Sequence, residues 1–204
     1  HGWLSLAEIL ANVPGLYVID DFVESSVSVR GVSGGLQAGT RIIKVMINGV
    51  AVNFRPNLHA LIGPELIPIE AVERVEIAKG PLSALYGANA FLATVNVITR
   101  QPTLGTGAEL RTRGAWVAGP GGGAAGLIIY GSEHVDVIAA FSGESTDRSG
   151  LTIQPTFANQ DPRFAPYTTY FGGRTQGDLA APMSAFASVT GRGAKWGSLT
   201  LQGG

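Results

Sequence analysis

Cysteine is absent from the chain, which excludes a disulfide framework and any thiolate metal site. Charge is scarce as well. Only 14% of residues are charged and the formal net charge is −1, so nothing electrostatic recruits nucleic acid. Scarce charge together with a mean hydropathy of +0.23 also argues against disorder, which needs high charge and few apolar groups. The histidines His1, His59 and His134 stand apart, without the spacing of metal ligands. No membrane-spanning helix can be drawn. The uncharged stretch Gly114 to Ser132 is long enough, but it holds "GPGGG" at Gly119 to Gly123, and proline and glycine are costly inside a helix. The chain starts on His1 rather than Met and shows no signal peptide, so the expectation is a piece of something longer.

What is present falls into two textures. From His1 to about Pro102 the sequence mixes one clear helix with short strands. "SLAEILANVPG" opens with Ser5 and carries Glu8 three residues later, the spacing of a capping box. Leu6, Ile9, Leu10 and Val13 follow at helical spacing, and Pro14-Gly15 ends the run. "LYVID", "SVSVRG" and "IIKVMINGVAV" are rich in β-branched residues, and Asn48-Gly49 between two apolar runs predicts a hairpin. From Thr103 to Gly204 the chain alternates between glycine-rich turns. Val135, Val137, Ala139 and Phe141 share one face; Met183, Ala185, Ala187 and Val189 share another; Leu199 and Leu201 alternate with polar neighbours. Apolar residues on one side and small polar ones on the other fit transmembrane β-barrel strands, with Trp116, Tyr130 and Trp196 near run ends as an aromatic girdle. A soluble β-sandwich shares that alternation.

"IEAVERVEIAKGPLSALYGANAFLATVNVITR", ending at Arg100, decides between them. Val72, Val75 and Ile77 can pack one way while Glu73, Arg74 and Glu76 face solvent. Gly80-Pro81 ends that strand, "SALYG" makes one helical turn stopped by Gly87, and "TVNVITR" returns as a buried strand. The run resembles the end of the plug domain of TonB-dependent outer-membrane receptors. "LAEILANVPGLYV", "VSVRGV" and "VMINGVAV" fall upstream in that family's order. Two departures stand out: Lys79 replaces the family's usual arginine before Gly-Pro, and Leu92-Ala93 replaces a small-Gly pair.

The resemblance implies an α+β plug domain at residues 1–102, followed at 103–204 by about five antiparallel transmembrane strands of an incomplete β-barrel. The strands are expected near Ala108–Val117, Ala125–Ser132, Val135–Glu144, Met183–Arg192 and Trp196–Gln202. They should form an open sheet, with short periplasmic turns at "SEHV" and "RGAKW" and the long connection Ser145 to Pro182 outside. The implied function is uptake of a ferric siderophore, haem or cobalamin across the outer membrane of a Gram-negative bacterium. The implied partners are TonB (through an N-terminal box not in this chain), a small-molecule or metal-chelate substrate and outer-membrane lipid. No catalytic residue, cofactor, resident metal or nucleic acid is implied. Apical plug loops suggest Asp21, Phe22, Asn53, Arg55, Asn57 and His59 as ligand contacts. Arg30 of the "VRG" motif and Lys79 are implied to pair with glutamates of the barrel wall as a lock. That lock expects both to end neighbouring strands on one side of the plug. Two other classes compete. "GVSGG" offers Ser33 as a hydrolase nucleophile, but no helix is evident after it and His134 lies in a turn. A soluble periplasmic ligand-binding or interaction module would need the outward faces of the alternating strands to be covered by protein.

Overall fold

The computed structural model describes residues 2–20, 25–33, 39–52, 60–102, 104–116, 119–150, 179–193 and 197–203. It divides into two compact units. One comprises His1–Leu110, Ala125–Ser142 and Ser184–Gly204; the other comprises Arg111–Ala124 and Gly143–Met183.

The first unit begins with α1 (Leu6–Ala11). Ser5 caps it by accepting the Glu8 backbone N–H at 3.3 Å, while the Glu8 carboxylate reaches back to the Leu4 N–H at 2.8 Å. The capping box therefore closes one residue earlier than its ideal form. Leu6, Ala7 and Leu10 are buried, and Val13 packs partly against the same core. Next, β1 (Leu16–Asp20) pairs antiparallel with β2 (Ser25–Val29) as a separate two-stranded sheet. The hairpin expected at Asn48-Gly49 forms between β3 (Ile43–Ile47) and β4 (Val50–Ala51). Asn48 and Gly49 have φ of 51° and 81°, the left-handed pair that such a turn demands.

Two longer strands complete the plug-like sheet: β5 (Val72–Lys79) and β6 (Ala93–Thr99), separated by the single turn α2 (Ser83–Tyr86). The order is β4-β3-β6-β5, with β3 parallel to β6 and β5 antiparallel to it. A bulge falls between Val72 and Arg74. It explains a spacing that simple alternation cannot, since Val72, Val75 and Ile77 all pack against the core and one extra residue restores their common face. Gly87 follows α2 at φ 76° and its N–H reaches the Ser83 carbonyl at 2.8 Å. Neither Leu92 nor Ala93 has positive φ; Asn89 takes it at 69°.

The remaining strands are β7 (Gly105–Trp116), β8 (Pro120–Gly131), β9 (Val135–Asp147), β10 (Leu179–Ala180), β11 (Met183–Gly193) and β12 (Gly197–Gly203). They form one open sheet in the order β12-β11-β9-β8-β7, with the short β10 pairing β9 beside it. Among the described residues β7 and β12 are the edge strands of this sheet. The tight β8–β9 turn is held by Ser132, whose N–H and hydroxyl both donate to the Val135 carbonyl at 2.9 Å. β8 corrects one expectation: it starts at Pro120 and takes in the glycine cluster, rather than starting near Ala125. Within the second unit, a Cβ on Gly121 would meet the Ser145 carbonyl at 2.9 Å and one on Gly123 the Gly143 carbonyl at 2.8 Å. Here the glycines permit close strand packing instead of breaking the strand. Gly123 also lies beneath the Arg113–Glu144 ion pair, which crosses from β7 to β9 above it.

Candidate functional site

Alternation decides what each side of the strand sheet meets. Met183, Val189, Leu199, Leu201, Ile128 and Phe141 are exposed. In β11 the polar Ser184, Ser188 and Thr190 occupy the opposite positions, half-buried, with Phe186 buried among them. Charge follows the same rule. Within β7, β9 and β11, Glu109, Arg111, Arg113, Asp136, Glu144 and Arg192 all take the alternation opposite the apolar residues, and Asp147 at the end of β9 is the exception. Trp116 and Tyr130 are exposed near the strand ends expected of a girdle; Trp196 lies outside the described residues.

The inner face of the first unit carries the contact with the plug-like core. Leu127, Ile138, Ala140 and Phe186 join the same apolar cluster as Leu10, Val27, Val45 and Val95. Alongside that seam lies a cleft of about 1060 Å³ with a mixed lining, in which polar residues alternate with Val50, Ile98, Ile138 and Leu201. Asn48, Asn96 and Thr99 line its plug side, and Ser188, Thr190 and Thr200 line its strand side. A side-chain bond spans the two: the Asn48 amide donates to the Gln202 carbonyl oxygen at 2.9 Å. The same amide donates to the Thr99 hydroxyl at 2.9 Å, and the Asn48 carbonyl oxygen accepts the Thr99 N–H at 3.0 Å. The hairpin turn is therefore pinned to the end of β6 and to the last strand at once.

Each arginine of this cleft has a carboxylate. Arg192 forks onto Asp136 and also donates to the Ser132 carbonyl at 3.0 Å. Arg74 lies 3.2 Å from Glu73 and 2.9 Å from Glu76, and the Glu76 hydrogen bond chiefly raises its pKa. Arg100 lies 3.6 Å from Glu109. The walls thus offer hydrogen-bonding groups with their charges already neutralised.

Of the residues singled out in the sequence, Asp21, Phe22, Asn53, Arg55, Asn57 and His59 lie outside the described residues. Arg30 and Lys79 are both described and both exposed. They end strands of different sheets, not neighbouring strands as expected, because β1 and β2 stand apart from the four-stranded sheet. Both nevertheless reach the turn after α1. The Arg30 N–H donates to the Gly15 carbonyl at 2.8 Å, and the Lys79 ammonium donates to the Pro14 carbonyl at 2.7 Å. Arg30 also forms a tight turn with Gly31, at φ 52° and 80°, closed by two 2.9 Å bonds between Val29 and Val32. Nothing in "VRG" signals that turn, since arginine is an unusual residue at positive φ. Ser33 is exposed just after it, and His134 is exposed in the β8–β9 turn. The cleft was also not foreseen. The Asn-Gly signal marks Asn48 as a turn residue, but its bond to Gln202 joins positions 154 apart in the chain.

A family model described as TonB-dependent Receptor Plug Domain matches residues 2–94. The iron-regulated outer membrane virulence protein of Vibrio cholerae is 30% identical over 101 residues, covering 47% of this chain and 15% of that protein. The vitamin B12 transporter BtuB of Photobacterium profundum is 34% identical over 100 residues, with the same coverage of 47% and 15%. Among solved structures, the copper transporter OprC superposes with a TM-score of 0.66 at 15% identity, covering 97% of this chain and 28% of that one. The FrpB iron transporter from Neisseria meningitidis gives 0.64 at 13% identity, covering 98% and 28%. The chain therefore spans 15% of the length of these curated relatives, and the structural likeness extends over the strand sheet as well as the plug-like part.

Proposed function

We propose that the chain, whose residues 2–94 match the TonB-dependent receptor plug domain, is the plug and first barrel strands of a receptor importing a scarce nutrient across the outer membrane of a Gram-negative bacterium. Such receptors are transporters rather than enzymes. In this reading residues 1–102 form the plug and residues 103–204 the start of the barrel. The observation that carries it is the two-sided strand sheet. Its outward face is apolar and uncovered, while its inward face holds the charges and packs on the plug core. A soluble module would leave that outward face in water at a cost of about 25 cal/mol for each Å²; a lipid bilayer removes it.

The family's route to energy is TonB, gripping a box that precedes the plug. The substrate class is a small molecule or metal chelate of the ferric siderophore, haem or cobalamin type. In support, a relative is named as iron-regulated and another as a vitamin B12 transporter. Asp21, Phe22, Asn53, Arg55, Asn57 and His59 would meet that substrate from the apical loops. The segments "SEHV" and "RGAKW" would face the periplasm, with the Ser145–Pro182 connection at the cell surface. Arg30 and Lys79, gathered at the Pro14-Gly15 turn, would present their charges to the barrel wall. Lysine brings a single point charge there in place of arginine's two-pronged fork.

The test is accumulation in cells. The full-length receptor, expressed in a strain lacking its own, is offered radiolabelled ferric enterobactin, ferric yersiniabactin, haem and cobalamin. Accumulation of at least one compound, lost when TonB is removed, is expected. Accumulation of none, with the receptor present at the surface, overturns the reading.

A further inference from the structure

We propose that Asn48-Gly49 is a modification site: an asparagine set to lose ammonia to its own backbone, and held back from doing so while the hairpin is seated on β12. The chemistry is intrinsic to the pair. The Gly49 nitrogen attacks the Asn48 side-chain carbonyl carbon. A C–N bond forms there, the bond to the side-chain nitrogen breaks, and ammonia leaves carrying the Gly49 proton. Water then opens the cyclic imide to aspartate or isoaspartate. Glycine leaves the attacking nitrogen unhindered, because it has no Cβ. Both residues are exposed, so water reaches the ring.

Two sets of contacts oppose ring closure. On the nucleophile, the Gly49 N–H donates to the Asn96 side-chain oxygen at 2.9 Å. On the electrophile, the Asn48 carbonyl oxygen accepts the Thr99 N–H at 3.0 Å, and the amide nitrogen donates to the Thr99 hydroxyl and to Gln202 Oε1, each at 2.9 Å. Closure requires the Gly49 peptide to rotate and the Asn48 side chain to swing toward it, and these motions break those bonds. Asn96 and Thr99 belong to β6, so they restrain the pair whenever the plug-like sheet is folded. Gln202 belongs to β12 and restrains it only while hairpin and strand are together. The rate therefore rises in steps: slow when the hairpin is seated, faster when β12 is away, fastest in the unfolded chain. Loss of ammonia runs one way, so the modified fraction accumulates with the time the hairpin spends off the strand. Both products then disfavour reseating. Aspartate has no side-chain N–H to give Gln202 or the Thr99 hydroxyl. Isoaspartate adds a carbon to the backbone of a two-residue turn whose left-handed pair stands at φ 51° and 81°.

The reaction is followed by peptide mass spectrometry on the full-length receptor, kept in outer-membrane vesicles at mildly alkaline pH. Isoaspartate at position 48 is counted with an isoaspartyl methyltransferase. Gln202→Ala should modify Asn48 about five- to tenfold faster than the unaltered receptor, the scale of one lost hydrogen bond. Gln202→Glu keeps an oxygen acceptor and should match the unaltered protein, as should Leu199→Ala on the outward face of the same strand. Asn96→Ala frees the Gly49 N–H without touching β12, and is a second route to acceleration. The urea-unfolded receptor sets the upper rate. Rates unchanged in both Gln202→Ala and Asn96→Ala overturn the proposal, as does slow modification of the unfolded chain or acceleration by Leu199→Ala equal to that by Gln202→Ala. The readout involves no transport, so its failure is separate from failure of the uptake reading.

Discussion

β6 and β11 are both built from small and β-branched residues, yet they read differently because they have different neighbours. In β6, Ala93, Thr94, Val95 and Val97 are all at most 3% exposed. The strand is central in its sheet, between β3 and β5, and consecutive buried residues mean that both of its faces are covered. In β11, exposed Met183, Ala185, Ala187 and Val189 alternate with half-buried Ser184, Ser188 and Thr190 and buried Phe186. One face is packed and the other is bare. The comparison teaches that a continuous apolar run marks a strand enclosed by protein, whereas apolar residues on the exposed face mark a strand that, on the proposed reading, would take lipid as its second partner.

The contrast is broken most severely from the enclosed side. Leu10→Ala in α1, whose side chain is fully buried, should cost about 2–5 kcal/mol, read as a lowered denaturation midpoint of the full-length receptor's plug. Next comes the lipid side. Ala187→Arg on the outward face of β11 should cost about 2–4 kcal/mol near the membrane midplane, seen as reduced receptor in the outer membrane. Ser188→Arg, one residue on and facing inward, should leave insertion intact; equal losses for both would erase the distinction. A smaller effect is expected at the hairpin. Gly49→Val places a β-branched residue at φ 81° and should cost about 1–2 kcal/mol, checked by thermal unfolding. Ser5→Ala removes the α1 cap at about 1 kcal/mol. Smallest of all, Arg74→Gln at the exposed β5 edge should leave the midpoint unmoved.

Much of this was legible where chemistry is local. Ser5 with Glu8, Asn48-Gly49, and Gly80-Pro81 with Gly87 each set a cap or turn within a few residues, and each formed. Strand alternation in β9, β11 and β12 was likewise readable, because the period of two survives without knowing the partner strand. What escaped was long-range or depended on close backbone approach. Parallel pairing of Ile43–Ile47 with Ala93–Val97 joins segments with no shared local signal. The Val72/Arg74 bulge shows only once β6 sets the register. Gly121 to Gly123 resemble a break in the sequence, but neighbouring carbonyls approach them so closely that no side chain fits. As for the candidate site, its Asn48–Gln202 bond could not be inferred from either residue alone, since a turn asparagine ordinarily satisfies its amide nearby.

The free edge of β7 bears on the order in which the molecule is made. In a closed barrel the first strand must pair with the last, so on the proposed reading the backbone groups along the outer edge of β7 would wait until every later strand had been made. During that interval an apolar sheet stands with two open margins, a form prone to pair with any other extended chain. On the proposed reading, the earliest strand to emerge would therefore be the final one to be satisfied.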